Sequence, residues 1–129
     1  MMPALRRLMR PLLMGGAVAT FLVTGYYGVL YRGQLPYHWR VDGYNDTLLH
    51  IGSFGLLAMF AAALRTGWSG FAALVVFAGL IEVAQIWVSG RTASAGDFAA
   101  GVIGVLLGFL AVRAILTFVR WKQLEKTAH

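Results

Sequence analysis

The sequence predicts an all-α integral membrane protein, a bundle of four transmembrane helices with both termini cytoplasmic, on three observations. The first is composition: 59% of the 129 residues are hydrophobic and 12% are charged, with a mean hydropathy of +0.70. A soluble domain carries about 25% charged residues, so the solvent this chain suits is mostly lipid. The second is the division of the chain into apolar runs, each near the roughly 20 residues that cross a bilayer as a helix. The third is the placement of the 11 Lys and Arg residues. Counted on alternate sides of the runs, Arg6, Arg7, Arg10, Arg65, Arg113, Arg120, Lys122 and Lys126 fall on one side, and Arg32, Arg40 and Arg91 on the other. That asymmetry puts both termini in the cytoplasm. The length leaves room for a single domain, residues 1–129.

The net charge of +6 raises nucleic acid as a partner. The basic residues, however, cluster at the ends of apolar runs, where they act as orientation signals and meet anionic headgroups. Membrane lipids are therefore the expected partners, and nucleic acid is not. The chain has no cysteine, which excludes disulfides, thiolate nucleophiles and cysteine metal sites.

The first run, residues 11–31, follows Arg6, Arg7 and Arg10. It resembles a signal peptide with a basic start, and Ala17-Val18-Ala19 resembles a cleavage site. The run continues well past Ala19, however, beyond the 7–15 residues typical of a signal's apolar core, so a retained helix is expected. Residues 32–44 then form a polar loop in which Tyr37, Trp39 and Tyr44 alternate with His38, Arg40 and Asp42, the composition of an interfacial belt. The second span is expected over 45–64 and the third over 69–89, joined by the turn Arg65-Thr66-Gly67-Trp68. The fourth is expected over 97–119, with Arg113 snorkelling from its last turns and a frayed basic tail over 120–129.

Polar groups inside these runs mark a candidate site. An ionised side chain near the bilayer centre costs roughly 2.5–3.5 kcal/mol on insertion scales, so buried acids usually face protein or water and have a partner. Asp46 and His50 lie four residues apart at the start of the second span, on one helix face. Glu82 precedes Gly90 by eight residues, a depth of about 12 Å, and Gln85 and Ser89 follow on nearly the same face. Arg91 and Ser94 occupy the next turn, and Asp97 opens the fourth span. The topology delivers all of them to the outer leaflet.

Each residue also has a plainer reading. Asp46 and Asp97 stand where helices begin and serve as caps, which Ser94 assists. His50 on its own reads as a satisfied interior histidine. Gln85 joins helices by an amide hydrogen bond, and Arg91 touches lipid phosphate. Glu82 is harder to dismiss, because a mid-helix acid needs a buried partner, a proton or a wet cavity. Gly101, Gly104 and Gly108 on one face, with Gly52 and Gly55 below His50, predict close helix packing.

Together these residues resemble the VanZ-like family of small bacterial membrane proteins. The resemblance rests on Asp46-x-x-x-His50, on Glu82-x-x-Gln85, and on Gly90-Arg91-Thr92-x-Ser94-x-x-Asp97 leading to Gly104 and Gly108, and is strongest over residues 45–108. The chain differs at two positions: Thr47 stands where family members commonly have Lys, and Gly101 where they have Asn. The resemblance implies an inner-membrane, cell-envelope role associated with low-level resistance to the glycopeptide teicoplanin, by an unestablished mechanism.

Three functions compete. In the first, Asp46, His50, Glu82, Gln85, Arg91, Ser94 and Asp97 bind a lipid headgroup, a lipid-linked envelope precursor or a glycopeptide. Arg91 then takes phosphate or carboxylate, and the acids take amines or hydroxyls. In the second, the protein is an intramembrane enzyme acting on an envelope lipid, with His50 and Glu82 as the catalytic acid and base. A metal variant would recruit His50, Asp46, Asp97 and Glu82, but their spacing is not specific, and neither metal nor cofactor is expected. In the third, the cluster is a structural staple that fixes helix register, and function lies in partner binding.

Overall fold

A computed structural model describes residues 3–30 and 45–127, which are helical with short turns and include no strand. Helix α1 covers Pro3–Gly25 and continues as a π-helical turn over Tyr26–Leu30. Helix α2 covers Asn45–Ala63, α3 covers Gly67–Gln85, and α4 covers Ala95–Thr127. Among the described residues, four helical segments are long and apolar enough to cross a membrane, the first taken over Met9–Leu30. The expected belt over 32–44 lies outside the described residues.

The central contact is between α2 and α4, and glycine makes it possible. Gly55 faces the Gly104 backbone, so that a β-carbon on Gly55 would lie 3.4 Å from the Gly104 carbonyl oxygen. One on Gly104 would run into the Ile51 carbonyl, and one on Gly108 into the Gly55 carbonyl. Without an apolar driving force between helices in lipid, backbone approach of this kind supplies van der Waals contact that larger residues prevent. Around the seam, Phe54, Leu57, Ala58, Ile81, Val105 and Phe109 form the buried core. Gly52, expected beside Gly55, instead faces open space.

Helix α1 lies at the edge. Leu12, Val18 and Leu22 are exposed, as suits a lipid-facing helix. It meets the bundle through Gly16, packed on the Phe60 ring of α2, through Phe21, stacked on Phe77 with centroids 4.3 Å apart, and through its π turn. Where Gly28 approaches Ile81, a β-carbon would come within 2.9 Å of the isoleucine side chain.

Two boundaries differ from the sequence expectation. Helix α3 ends at Gln85 rather than Ser89: Ile86, Trp87 and Val88 donate to the carbonyls of Val83, Ala84 and Gln85, a tightening three-residue pattern. Gly90 then reverses the chain at φ 82°, and Ser89 is exposed beyond the helix. Helix α4 begins at Ala95 and stays helical to Thr127, where a frayed tail was expected. Gln123, Leu124, Glu125 and Lys126 are all good helix formers, and Lys122 pairs with Glu125 at 3.4 Å. Counting from Ser94, a hydrocarbon core of about 30 Å is crossed in about 20 residues, so the last turns of α4 extend beyond it. Successive helices run antiparallel, and both ends of the described chain lie opposite the α3–α4 turn.

Candidate functional site

The seven polar residues do meet, in one connected network at the end of the bundle formed by the α2 start, the α3 end and the α4 start. It begins at the α4 N-terminus, where four N–H groups lack intrahelical partners. Ser94 caps this end, its Oγ accepting the Asp97 N–H at 3.2 Å. In the usual reciprocal cap, an acid at the position of Asp97 accepts the N–H of the capping serine. Here Glu82 does so from α3, its Oε2 taking the Ser94 N–H at 2.8 Å. Asp97 is thereby released to accept the Thr47 hydroxyl at 3.1 Å, tying α4 to α2. The partner that a mid-helix acid needs is thus, in part, the first N–H of the neighbouring helix.

The other oxygen of Glu82 faces His50. His50 Nδ1 lies 2.9 Å from the Asp46 carbonyl oxygen, which can only accept, so Nδ1 carries hydrogen in this contact. Nε2 is left 3.2 Å from Glu82 Oε1, with both side chains under a tenth exposed. Two lone pairs would repel at that distance. The contact is attractive when one proton is held between the groups, as imidazolium with carboxylate or as imidazole with carboxylic acid. The atoms are at ion-pair distance but off hydrogen-bond alignment, and neither has another hydrogen-bond partner among the described residues. Asp46 therefore orients His50 through its main-chain carbonyl, not through the carboxylate that the four-residue spacing pointed to.

The Asp46 carboxylate instead turns outward, its side chain 61% exposed, with Oδ2 3.8 Å from Arg91 Nη1. Arg91 is mostly covered and donates through Nη2 to the Gly28 carbonyl at 3.1 Å, leaving Nε without a partner among the described residues. Gln85 Nε2 donates to the same carbonyl at 2.7 Å. This shared acceptor lies in the π turn, Tyr26–Leu30. Gln85→Leu alone is expected to cost about 0.6 kcal/mol, the average for an interhelical hydrogen bond in membranes. Combined with Arg91→Ala it orphans the carbonyl and should exceed the sum of the singles; additive losses in SDS-induced unfolding would count against a shared acceptor.

Sequence reasoning missed two members. Thr47 contributes a hydroxyl that only the α2–α4 approach brings to Asp97. Gly28 contributes a backbone oxygen, which has no side-chain signature. Among the described residues no three His, Asp or Glu side chains converge as a metal site would require: His50 and Glu82 meet, while Asp46 and Asp97 turn to Arg91 and Thr47.

Compared with protein-family models, with curated proteins and with solved structures, the chain finds no match.

Proposed function

We propose that this network is the binding site of a VanZ-like protein of the bacterial inner membrane, opening outward and taking the polar headgroup of an envelope lipid, a lipid-linked precursor or a glycopeptide. The observation that carries this reading is the incomplete pairing of Arg91 and Asp46. A mostly covered guanidinium, its Nε without a partner among the described residues, stands 3.8 Å from an exposed carboxylate, a pair of opposite charges suited to a zwitterionic ligand. Arg91 offers its fork to phosphate or carboxylate, and Asp46 receives an ammonium or hydroxyl.

Arg91→Ala and Asp46→Asn are expected to leave membrane abundance unchanged while abolishing any protection against teicoplanin. Unchanged protection in both variants would refute the binding role. The proposed orientation is tested by single cysteines at Asp42 and Lys126, expected to label from the outside and the cytoplasm respectively.

Two other readings each have a specific observation in their favour. Hydrogen bonds from Gln85, Ser94 and Thr47 tie separate segments together, which favours a staple; loss of folded protein in His50→Ala and Asp97→Asn together with the two variants above would support it. The buried approach of His50 Nε2 to Glu82 Oε1 at 3.2 Å favours acid–base chemistry on an envelope lipid. A lipid species that appears or vanishes with the protein would select that reading.

A further inference from the structure

At the opposite end of the bundle a cleft of about 360 Å³ opens between the α2–α3 turn and the second half of α4. Arg65, Arg113 and Arg120 line it. Its α4 wall is a single helix face, because Phe109, Arg113, Thr117 and Arg120 follow at intervals of three or four residues. None of the three arginines has a carboxylate partner among the described residues. Arg113 lies instead over the Trp68 ring, 5.9 Å from its centroid. Arg65 holds a left-handed backbone conformation, φ 61°, which non-glycine residues seldom adopt. Gly67, on the rim, begins α3, and Thr66 before it makes no side-chain cap to the first turn. Positive charge is thus gathered with no carboxylate among the described residues paired to it.

A second, apolar groove of about 80 Å³ adjoins this cleft, sharing Gly67, Phe109 and Arg113 with it. It follows α3 and α4 along Phe71, Leu106 and Leu110. With Ser94 near one membrane boundary, the opposite boundary falls about 20 residues on, close to Arg113. The groove therefore lies at acyl-chain depth, and the Arg120 backbone lies about 9 Å beyond the core boundary, from which its long side chain reaches back to the headgroups.

We infer that this cleft binds the phosphate of an anionic phospholipid whose acyl chain lies in the adjoining groove. Guanidinium forks match phosphate oxygens, and basic pockets between membrane helices are suited to such headgroups. Free phosphate shares the charge chemistry but leaves the apolar groove unfilled. The site is independent of the network at the other end.

The test uses the full chain in dodecyl maltoside with equimolar dioleoyl phosphatidylglycerol and dioleoyl phosphatidylcholine, read by native mass spectrometry. Phosphatidylglycerol should be retained preferentially, by about fivefold for each arginine that engages it. Arg65→Gln/Arg120→Gln should lower the preference to the roughly fivefold that Arg113 alone supplies, while Lys122→Gln/Lys126→Gln should keep it whole. Inorganic phosphate at the lipid's concentration should not displace phosphatidylglycerol. Equal retention of both lipids by the unmodified chain overturns the proposal whether or not any variant folds. Displacement by inorganic phosphate overturns the lipid assignment, and equal losses in the lysine and arginine variants reduce the site to diffuse surface charge.

Discussion

Glu82→Ala is expected to lower the unfolding free energy by about 3–5 kcal/mol, the range for removing one partner of a buried ionic contact. The loss falls in two places. The Ser94 N–H, which begins α4, loses its acceptor, and His50 Nε2 is left facing an emptied space. Glu82→Gln separates these effects. An amide oxygen can still accept from Ser94, and the amide hydrogens can donate to a neutral His50, so the helix start survives without an acid. Gln should therefore recover most of the stability lost in Ala, as read by SDS-induced unfolding in mixed micelles. If the two variants unfold alike, the Ser94 cap contributes little and the charge dominates. An Ala variant as stable as the parent would place Glu82 in contact with water.

The second large effect is expected at the glycine seam. Gly104→Ala puts a methyl group into the Ile51 carbonyl and 3.0 Å from the Gly55 nitrogen. These are backbone atoms, so whole helices have to separate. Overpacking typically costs about 1–3 kcal/mol, against a helix-propensity gain of about 1 kcal/mol. The clash should win, and Gly104→Val, with more atoms and a stiff side chain, should lose more than Ala. Gly52→Ala supplies the control on the same helix: with nothing within 4 Å of the added carbon, only the propensity gain remains. A stabilised Gly104→Ala would mean that α2 and α4 do not approach at this residue.

The fold was legible because lipid imposes a simple rule on composition: Leu, Val, Ala and Gly fill the runs, and Arg marks their ends. The glycine spacing on α4 also pointed to the right seam, since small residues on one face are useful only where another backbone comes close. The candidate site was legible as a set of residues, because few polar groups survive in such runs. Their pairings were not. Four-residue spacing put Asp46 and His50 on one face but could not say that the main-chain carbonyl, rather than the carboxylate, would meet the ring. Glu82 looked isolated in mid-helix because the end of α3 at Gln85 depends on the turn after it, and the donor it serves belongs to another helix. Thr47 was readable only as a departure from a family pattern, although its hydroxyl has a definite acceptor.

The Gly28 carbonyl sets an order for assembly in the membrane. Its two donors, Gln85 and Arg91, lie 57 and 63 residues further along the chain. As the polypeptide leaves the ribosome, α1 reaches the bilayer before either donor to the Gly28 carbonyl has been made, and little of its apolar surface is enclosed even in the finished bundle. The α2–α4 seam needs nothing from α1 to close. Until the α3–α4 turn has emerged, α1 is therefore held by apolar contacts such as that of Gly16 with Phe60 of α2, and its polar fastening to Gln85 and Arg91 comes last.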